Sequence, residues 1–265
     1  MKDKSRLDTT LTEKNITESR QIAQSYIIQG LVKVNGTVRT KPGFPVSGKD
    51  IIELLKPSRV YVSRGGLKLE HALNEFNINP ENKTAMDAGA STGGFTDCLL
   101  KKGASKVYAV DVGKGQLDYN LRNNERVISI EDCNIRYLDE NILTEKVDLI
   151  TADVSFISIT KIINVLSDRL KDTGSLIALI KPQFEAGKGK TIKGVIKDKS
   201  IHAEVLKNAL DYGAPFGLFP HNMTYSPIKG PSGNIEFFIL YKKQTSDTIF
   251  YIDDLVNKAW EILNK

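Results

Sequence analysis

Between Ala85 and Asp97 the chain reads AMDAGASTGGFTD. An acidic residue, Asp87, is followed by a turn of small residues, Gly89, Ala90, Ser91, Gly93 and Gly94, and then by an apolar run that opens at Phe95. That order describes a strand entering a helix through a loop whose backbone can approach a ligand closely, because small side chains leave the amide groups bare. Dinucleotides, nucleotides and S-adenosylmethionine are all held by loops of this kind. In the dinucleotide fingerprint the middle glycine lets a pyrophosphate reach the backbone. Here the middle position is Ser91. Further on, the apolar run Val107 to Val110 ends in Asp111, 24 residues after Asp87, where a carboxylate can grip a ribose hydroxyl. A cofactor with one ribose and no pyrophosphate fits these residues better than a dinucleotide, and S-adenosylmethionine is such a cofactor.

Working outward, strands and helices alternate. Strand signals recur at KVYAV, VISI, VDLITAD and SLIALIK, and helical signals at Phe95 to Lys101, GQLDYNL and SITKIINVLSDRL. This alternation predicts an α/β fold with a doubly wound, mostly parallel sheet, in which ligands lie beyond the carboxyl ends of the strands. Asp111, Asp153 and Lys181 fall where strands stop, and Glu236 sits between a Pro-Ser-Gly turn and the apolar run IEFFILY. Charges beside buried strands are costly unless paired, so each should have a partner. Lys68 stands in the first turn of the helix that Gly65 and Gly66 open, where the helix dipole disfavours a cation. Either it is exposed or something specific holds it.

The chain has 265 residues and 40% hydrophobic composition, enough for one large domain and a small one. Two cysteines, Cys98 and Cys133, are too few for a disulfide framework and read as buried, reduced thiols. His71, His202 and His221 are scattered, which predicts no metal site. No apolar run approaches the ~18 residues of a membrane span, and the N-terminal segment is charged where a secretory signal is apolar. A cytoplasmic location is expected, with no membrane partner. Residues 1–60 hold 11 Lys and Arg against 6 Asp and Glu, whereas residues 61–265 hold 26 of each. A basic small domain beside a neutral larger one points to an anionic partner such as nucleic acid.

In that basic part, Leu7 and Leu11 share one helical face, and Thr17 is placed to cap a second helix that ends at Gly30. LVKVNGTVR reads as a hairpin turning at Asn35 and Gly36, followed by a strand over 50–55. The pattern RLD…SR…A…I..GLVKVNG resembles the small RNA-binding domain first known from ribosomal protein S-four. The resemblance implies that Arg6, Arg20, Lys33, Arg39 and Lys41 face structured RNA. Contacts of that type give affinity with little sequence information. Pro57 and Ser58 mark a linker, so the expected division is 1–58, 59–245 and a C-terminal helix over 246–265 packed on the large domain.

YVSRGGLKLEHAL, DAGASTGGFTD, DVGKGQL, ADVSFIS, LIKPQFEAG and GNIEFF together resemble the TlyA group, in which an S-four domain precedes a Rossmann-like ribose methyltransferase domain of FtsJ type. The family's catalytic set, Lys, Asp, Lys, Glu in chain order, would fall on Lys68, Asp153, Lys181 and Glu236. The resemblance implies S-adenosylmethionine-dependent 2′-O-methylation of cytidine in ribosomal RNA, with ribosomal subunits as partners and no obligatory protein partner. Asp87, Gly89, Ser91, Gly93 and Phe95 would line the methionine side of the cofactor, Asp111 the ribose, and Asp132 and Asn134 the adenine. A ribose hydroxyl is a poor nucleophile at neutral pH, so the reaction needs in-line positioning and a base. Lys181 is the expected base or orienting group, with Lys68 as a neighbouring charge, Asp153 as its positioner and Glu236 as the anchor of Lys68 or of the ribose. The glycine- and lysine-rich segment KPQFEAGKGKTIKGV is expected to be a mobile loop that orders on RNA. Two competing readings are a ribosome-binding factor that has lost catalysis and, from the family's haemolysin label, a membrane-active protein.

Overall fold

The structure is a computed structural model that describes residues 5–17, 19–28, 30–55, 60–187 and 189–264, the side chain of Ser25 excepted. The expected linker at Pro57 and Ser58 lies outside the described residues. Two compact units result, Met1–Val60 and Tyr61–Lys265.

In the small unit the elements are β1 (Ser5–Arg6), α1 (Leu7–Glu13), α2 (Arg20–Ile28), β2 (Val32–Val34), β3 (Thr37–Val38), β4 (Pro45–Val46) and β5 (Ile52–Leu54). Leu7 and Leu11 of α1 pack with Ala23 and Ile27 of α2 against Val32, Val34 and Val46. Asn35 and Gly36, both at positive φ, make the β2–β3 turn, and β5 pairs with β2 on its other edge. Thr17 does not cap α2. Its Oγ1 is buried without a partner among the described residues, while Ser19 Oγ accepts the Ile22 amide at 3.3 Å and fills that role at the helix that begins one residue later. The two-residue pairing of β1 with β4 has no periodic signal in the sequence.

Asp8 is fully buried and organises this unit. It accepts both a bidentate bond from Arg6 at 2.9 Å and bonds from Gln24 at 2.8 Å and Arg20 at 3.1 Å. The Arg6 guanidinium, with Gln24 and Arg20, holds the carboxyl well below the usual carboxylate range. A depressed native pKa stabilises above the unfolded value of ~3.9 and is lost as pH falls through that region. Asp8→Asn is therefore expected to destabilise the small unit by ~1–3 kcal/mol at pH 7 and to blunt its acid sensitivity below about pH 4. Hydrogen exchange of residues 5–55 in the full chain reads this; unchanged protection at pH 7 contradicts it.

The large unit continues with α3 (Gly65–Glu75), β6 (Thr84–Ala88), α4 (Gly94–Lys101), β7 (Lys106–Val110), α5 (Tyr119–Arg122), β8 (Val127–Ile130), β9 (Val147–Ala152), α6 (Ile163–Arg169), β10 (Leu170–Ile180), α7 (Pro182–Glu185), α8 (Lys199–Asp211), β11 (Phe219–Tyr225), β12 (Phe237–Lys242) and α9 (Ile252–Leu263). One seven-stranded sheet has the order β11-β12-β10-β9-β6-β7-β8. β8, β7, β6, β9 and β10 are parallel neighbours, and β12 is antiparallel to both β10 and β11. Strand alternation sends Leu149, Ile177 and Phe238 to one face, under α3 and α4, and Ile150, Ala178 and Ile239 to the other, under α6, α8 and α9. The sheet is doubly wound and mostly parallel, as expected.

Three elements differ from the sequence reading. GQLDYNL is helical only from Tyr119, because Gly115 takes a positive φ and Asp118 accepts the Asn120 amide as an N-cap. SITKIINVLSDRL splits into a 3₁₀ turn at Ile159–Lys161 and α6. β11, with Pro220 and Asn222 at a register shift, carries little strand propensity and is tolerated as an edge strand.

Candidate active site

The order of the sheet reverses between β6 and β9, where β7 lies to one side and β10 to the other. Ligands in such sheets lie beyond the carboxyl ends at this point. The loop after β6 holds Gly89 at φ 89°, Ser91 at φ 48° and Gly93 at φ 93°, after which α4 begins. A side chain at Gly89 would have its Cβ 2.6 Å from the Asp153 carbonyl oxygen, so glycine is required on two counts.

Asp153 follows the last residue of β9 and Lys181 the last of β10, both at parallel strand exits. Because β12 runs the opposite way, its entrance, Glu236, lies at this same edge beside Ile180. α3 brings Lys68 to the same place. Lys181 Nζ lies 2.6 Å from Asp153 Oδ1 and donates to Ser155 Oγ at 2.7 Å. Lys68 Nζ donates to Glu236 Oε2 at 2.5 Å, with Glu236 only 1% exposed. The unfavourable placement of Lys68 near a helix start is thus answered by a specific carboxylate. Gly230 packs so closely on Glu236 that a Cβ would sit 2.4 Å from Oε1.

Lys68, Asp153 and Lys181 line one cleft of about 280 Å³, open to solvent, together with Gly89, Ser91 and Phe95. Ser63, Arg64, Ser155 and Pro231 complete its wall and were not singled out in the sequence, since isolated Ser, Arg and Pro carry no pattern. Beside it, a smaller pocket at Asp111 is lined by Ser91, Gln116, Ser129 and Glu131. Asp111 accepts the Ser91 amide at 2.8 Å and the Gly113 amide at 2.6 Å, which fixes its carboxylate facing that pocket. A carboxylate held this way retains lone pairs for vicinal ribose hydroxyls. These residues fit a nucleoside-bearing cofactor.

Four of the expected cofactor residues face elsewhere. Gly93 is buried and lines neither opening, its open side facing Leu117 and Leu121. Asp87 is fully buried and points inward: its Oδ2 accepts the amide and hydroxyl of Thr96 at 2.8 and 2.7 Å, and Thr151 donates to Oδ1 at 3.4 Å. It ties the end of β6 to the first turn of α4 and so shapes the loop. Asp132 is exposed and pairs with Lys114 at 3.2 Å, and Asn134 caps the turn at Ile135–Tyr137 by accepting the Arg136 amide at 3.2 Å. Glu131 lines the Asp111 pocket in their stead.

Next to Asp153, Phe156 is 90% exposed and holds φ 64°, with its ring 5.2 Å from that of Phe184. A bulky exposed residue in the left-handed region is strained, and such strain gathers at functional sites. The lysine-rich segment after α7 is tied down by buried Asn234, whose side chain accepts the Ile196 amide at 2.9 Å and donates to the Gly194 carbonyl at 2.8 Å. Lys188 within it lies outside the described residues. Among the described residues there is no His, Cys, Asp and Glu group able to hold a metal, and no helix is long and apolar enough to cross a membrane.

Burial pushes the Asp87 carboxyl up to about 7, opposed by Thr96 and reinforced by the charge of Asp153. The native state then keeps a proton that the unfolded chain releases near pH 4, so stability falls as pH rises from about 4 to about 7. Asp87→Asn, neutral throughout, is expected to flatten that fall, read from denaturant midpoints at pH 5 and pH 8. An unaltered slope contradicts it.

The FtsJ-like methyltransferase model matches residues 61–243, and the S4 domain model residues 5–52. Hemolysin A of Brachyspira hyodysenteriae is 47% identical over a match that covers 88% of this chain and 97% of its own. The 16S/23S rRNA (cytidine-2′-O)-methyltransferase TlyA of Mycobacterium tuberculosis is 37% identical over 98% of both chains. A solved hemolysin-named structure from Streptococcus thermophilus, 38% identical, superposes with a TM-score of 0.77 over 99% of this chain and 98% of that one. The fold, the cleft and these similarities agree: the chain belongs to the TlyA family of FtsJ-like methyltransferases that carry an S4 domain.

Proposed function

We propose that the protein transfers a methyl group from S-adenosylmethionine to the 2′-hydroxyl of a cytidine in ribosomal RNA. One observation carries the reading: two lysines, each held by its own carboxylate, meet the glycine loop at one cleft over the strand tips. The TlyA relative named a 16S/23S rRNA (cytidine-2′-O)-methyltransferase supports the substrate.

Bound there, S-adenosylmethionine supplies a methyl carbon on a positively charged sulfur that leaves as a neutral thioether. Gly89, Ser91 and Phe95 are its loop-side wall, and Asp111, with Gln116 and Glu131 nearby, takes the ribose. Asp153 favours positive charge in the cleft and holds Lys181. Lys181 takes or orients the proton of the substrate hydroxyl, and Lys68, anchored by Glu236, adds a fixed positive charge in the same cleft. Phe156 presents a π-face on which the base of the target nucleotide stacks once it leaves its own stack. Asp87 contributes by shaping the loop.

In the small unit, Arg6, Arg20 and Lys41 are exposed and Lys33 and Arg39 half-buried. Arg6 and Arg20 keep their Asp8 bonds while remaining about half exposed, and Arg39 stacks over Phe44 at 4.3 Å. Such pre-set guanidinium groups suit phosphate contacts, which position an RNA without reading its sequence. The lysine-rich segment after α7, already held by Asn234, adds a further basic edge for RNA. A ribosomal RNA substrate supports a cytoplasmic location.

Methyl transfer from labelled S-adenosylmethionine to ribosomal subunits from cells lacking the protein tests this reading. Lys181→Ala is expected to lower kcat by about 10²–10⁴-fold with cofactor affinity within about twofold. Retention of near-normal turnover refutes its assignment. Phe156→Ala is expected to cost ~1–3 kcal/mol in engagement of the subunit, seen as a raised KM. An unchanged KM removes the stacking role.

A further inference from the structure

The loop that follows β9 is fastened at both ends. At its start the Asp153 amide donates to the Ala88 carbonyl at 2.9 Å. At its far end Glu185 accepts the Ser158 hydroxyl at 2.6 Å and the Ile159 amide at 2.9 Å. Glu185 closes α7, the single turn that begins immediately after Lys181. The segment that carries the amine therefore also holds the loop that carries Ser155. Between the two fastenings Phe156 bends the backbone at φ 64°, which leaves Ser155 on the cleft wall with its Oγ 2.7 Å from Lys181 Nζ.

A lysine nitrogen is tetrahedral, with one position taken by Cε. Ser155 Oγ at 2.7 Å accounts for one of the other three, whereas Asp153 Oδ1, an ion-pair partner 2.6 Å away, accepts no hydrogen bond from it. We propose that Ser155 is a positioning residue for Lys181: by accepting this one directed hydrogen bond it fixes the rotation of the amine and turns a remaining position toward the substrate hydroxyl. With Asp153 alone, the amine could turn about the Cδ–Cε and Cε–Nζ bonds and lose that aim. With the Ser155 acceptor fixed and the Asp153 charge beside it, the amine that acts as base has one N–H engaged and is free to present its lone pair to the cleft. The hydroxyl proton passes to that lone pair. The O–H electron pair stays on the 2′ oxygen, which bonds to the methyl carbon as the carbon–sulfur pair departs on sulfur, and Lys181 is left as an ammonium. Ser155 neither gains nor loses a proton in this account. It sets direction, which is where displacements of about 1 Å can cost on the order of 10²-fold in rate.

The proposal rests on the methyltransferase reading, and its test separates the two. Full-length Ser155→Ala and Ser155→Thr are compared with the natural protein in two assays: labelled methyl transfer to ribosomal subunits, and NMR of the ¹⁵N-labelled Lys181 side chain, assigned with Lys181→Arg. Ser155→Ala is expected to lower kcat ten- to a hundredfold while the KM for subunits and the affinity for S-adenosylmethionine stay within about twofold. In the same variant the Lys181 amine should rotate and exchange its hydrogens faster. Ser155→Thr, which keeps the acceptor, should recover most of both. A kcat within twofold of the natural protein, or a lowered kcat with an unaltered Lys181 signal, overturns the proposal. If the natural protein methylates no subunit, the enzymatic reading is what fails. The Lys181 signal then still decides whether Ser155 holds the amine.

Discussion

Lys181 is only 8% exposed and its Nζ lies 2.6 Å from Asp153. Charged groups so far out of water are kept only when paired, and a hydrophobic pair of similar shape would commonly be as stable or more so. Stability is thus a weak reason for this ion pair, and a second pair, Lys68 with Glu236, lies against the same edge of the sheet. What the pairs share is topology. β9 and β10 are parallel neighbours, so their exits coincide, and β12 enters where β10 leaves, with Phe237 opposite Ile180. Reversal of one strand in the sheet brings residues 83 positions apart in sequence, Asp153 and Glu236, to the same end of the sheet.

The remaining parts of the large unit serve that opening. Asp87 is turned away from the cleft and spends both carboxylate oxygens on threonines, which fixes the glycine loop against the strand tips. Asp111 is fixed by two amides and keeps its outward face. Glu185 fastens the loop that presents Ser155 and Phe156. Each device fixes a group at or beside the cleft, and under the proposed chemistry an oriented amine needs little rearrangement when the hydroxyl arrives. The small unit answers a different need. Its excess of positive charge provides affinity for a polyanion, while choice of the reacting atom falls to the cleft.

Much of this was legible in the sequence. AMDAGASTGGFTD announces a strand, a close-approach loop and a helix because small residues there have few other uses, and Asp153, Lys181 and Glu236 stand out as charges against apolar strands. Lys68 announces itself by being in the wrong part of a helix. Less was available for Asp87: an acid at the end of a strand looks the same whether it faces a ligand or, as here, two threonines that are 9 and 64 residues away. The direction of β12 is invisible to periodicity, which reports faces and not polarity. Ser155 and Phe156 are ordinary residues in a short loop, and only the bend at Phe156 and the fastening by Glu185 give them a role. β11 has no strand signal because Pro220, His221 and Asn222 lack strand propensity, and α8 shows only a weak helical signal because its apolar stripe, with His202, Val205, Leu206 and Ala209 inward, is thin.

The account stands or falls on where a methyl group appears. Ribose methylation mapped across the ribosomal RNA of cells with and without this protein addresses that directly. The account predicts at least one 2′-O-methylcytidine that vanishes when the protein is absent and returns when it is supplied again. Identical maps in the two strains, together with no transfer of labelled methyl by the purified protein to unmodified subunits, would contradict it.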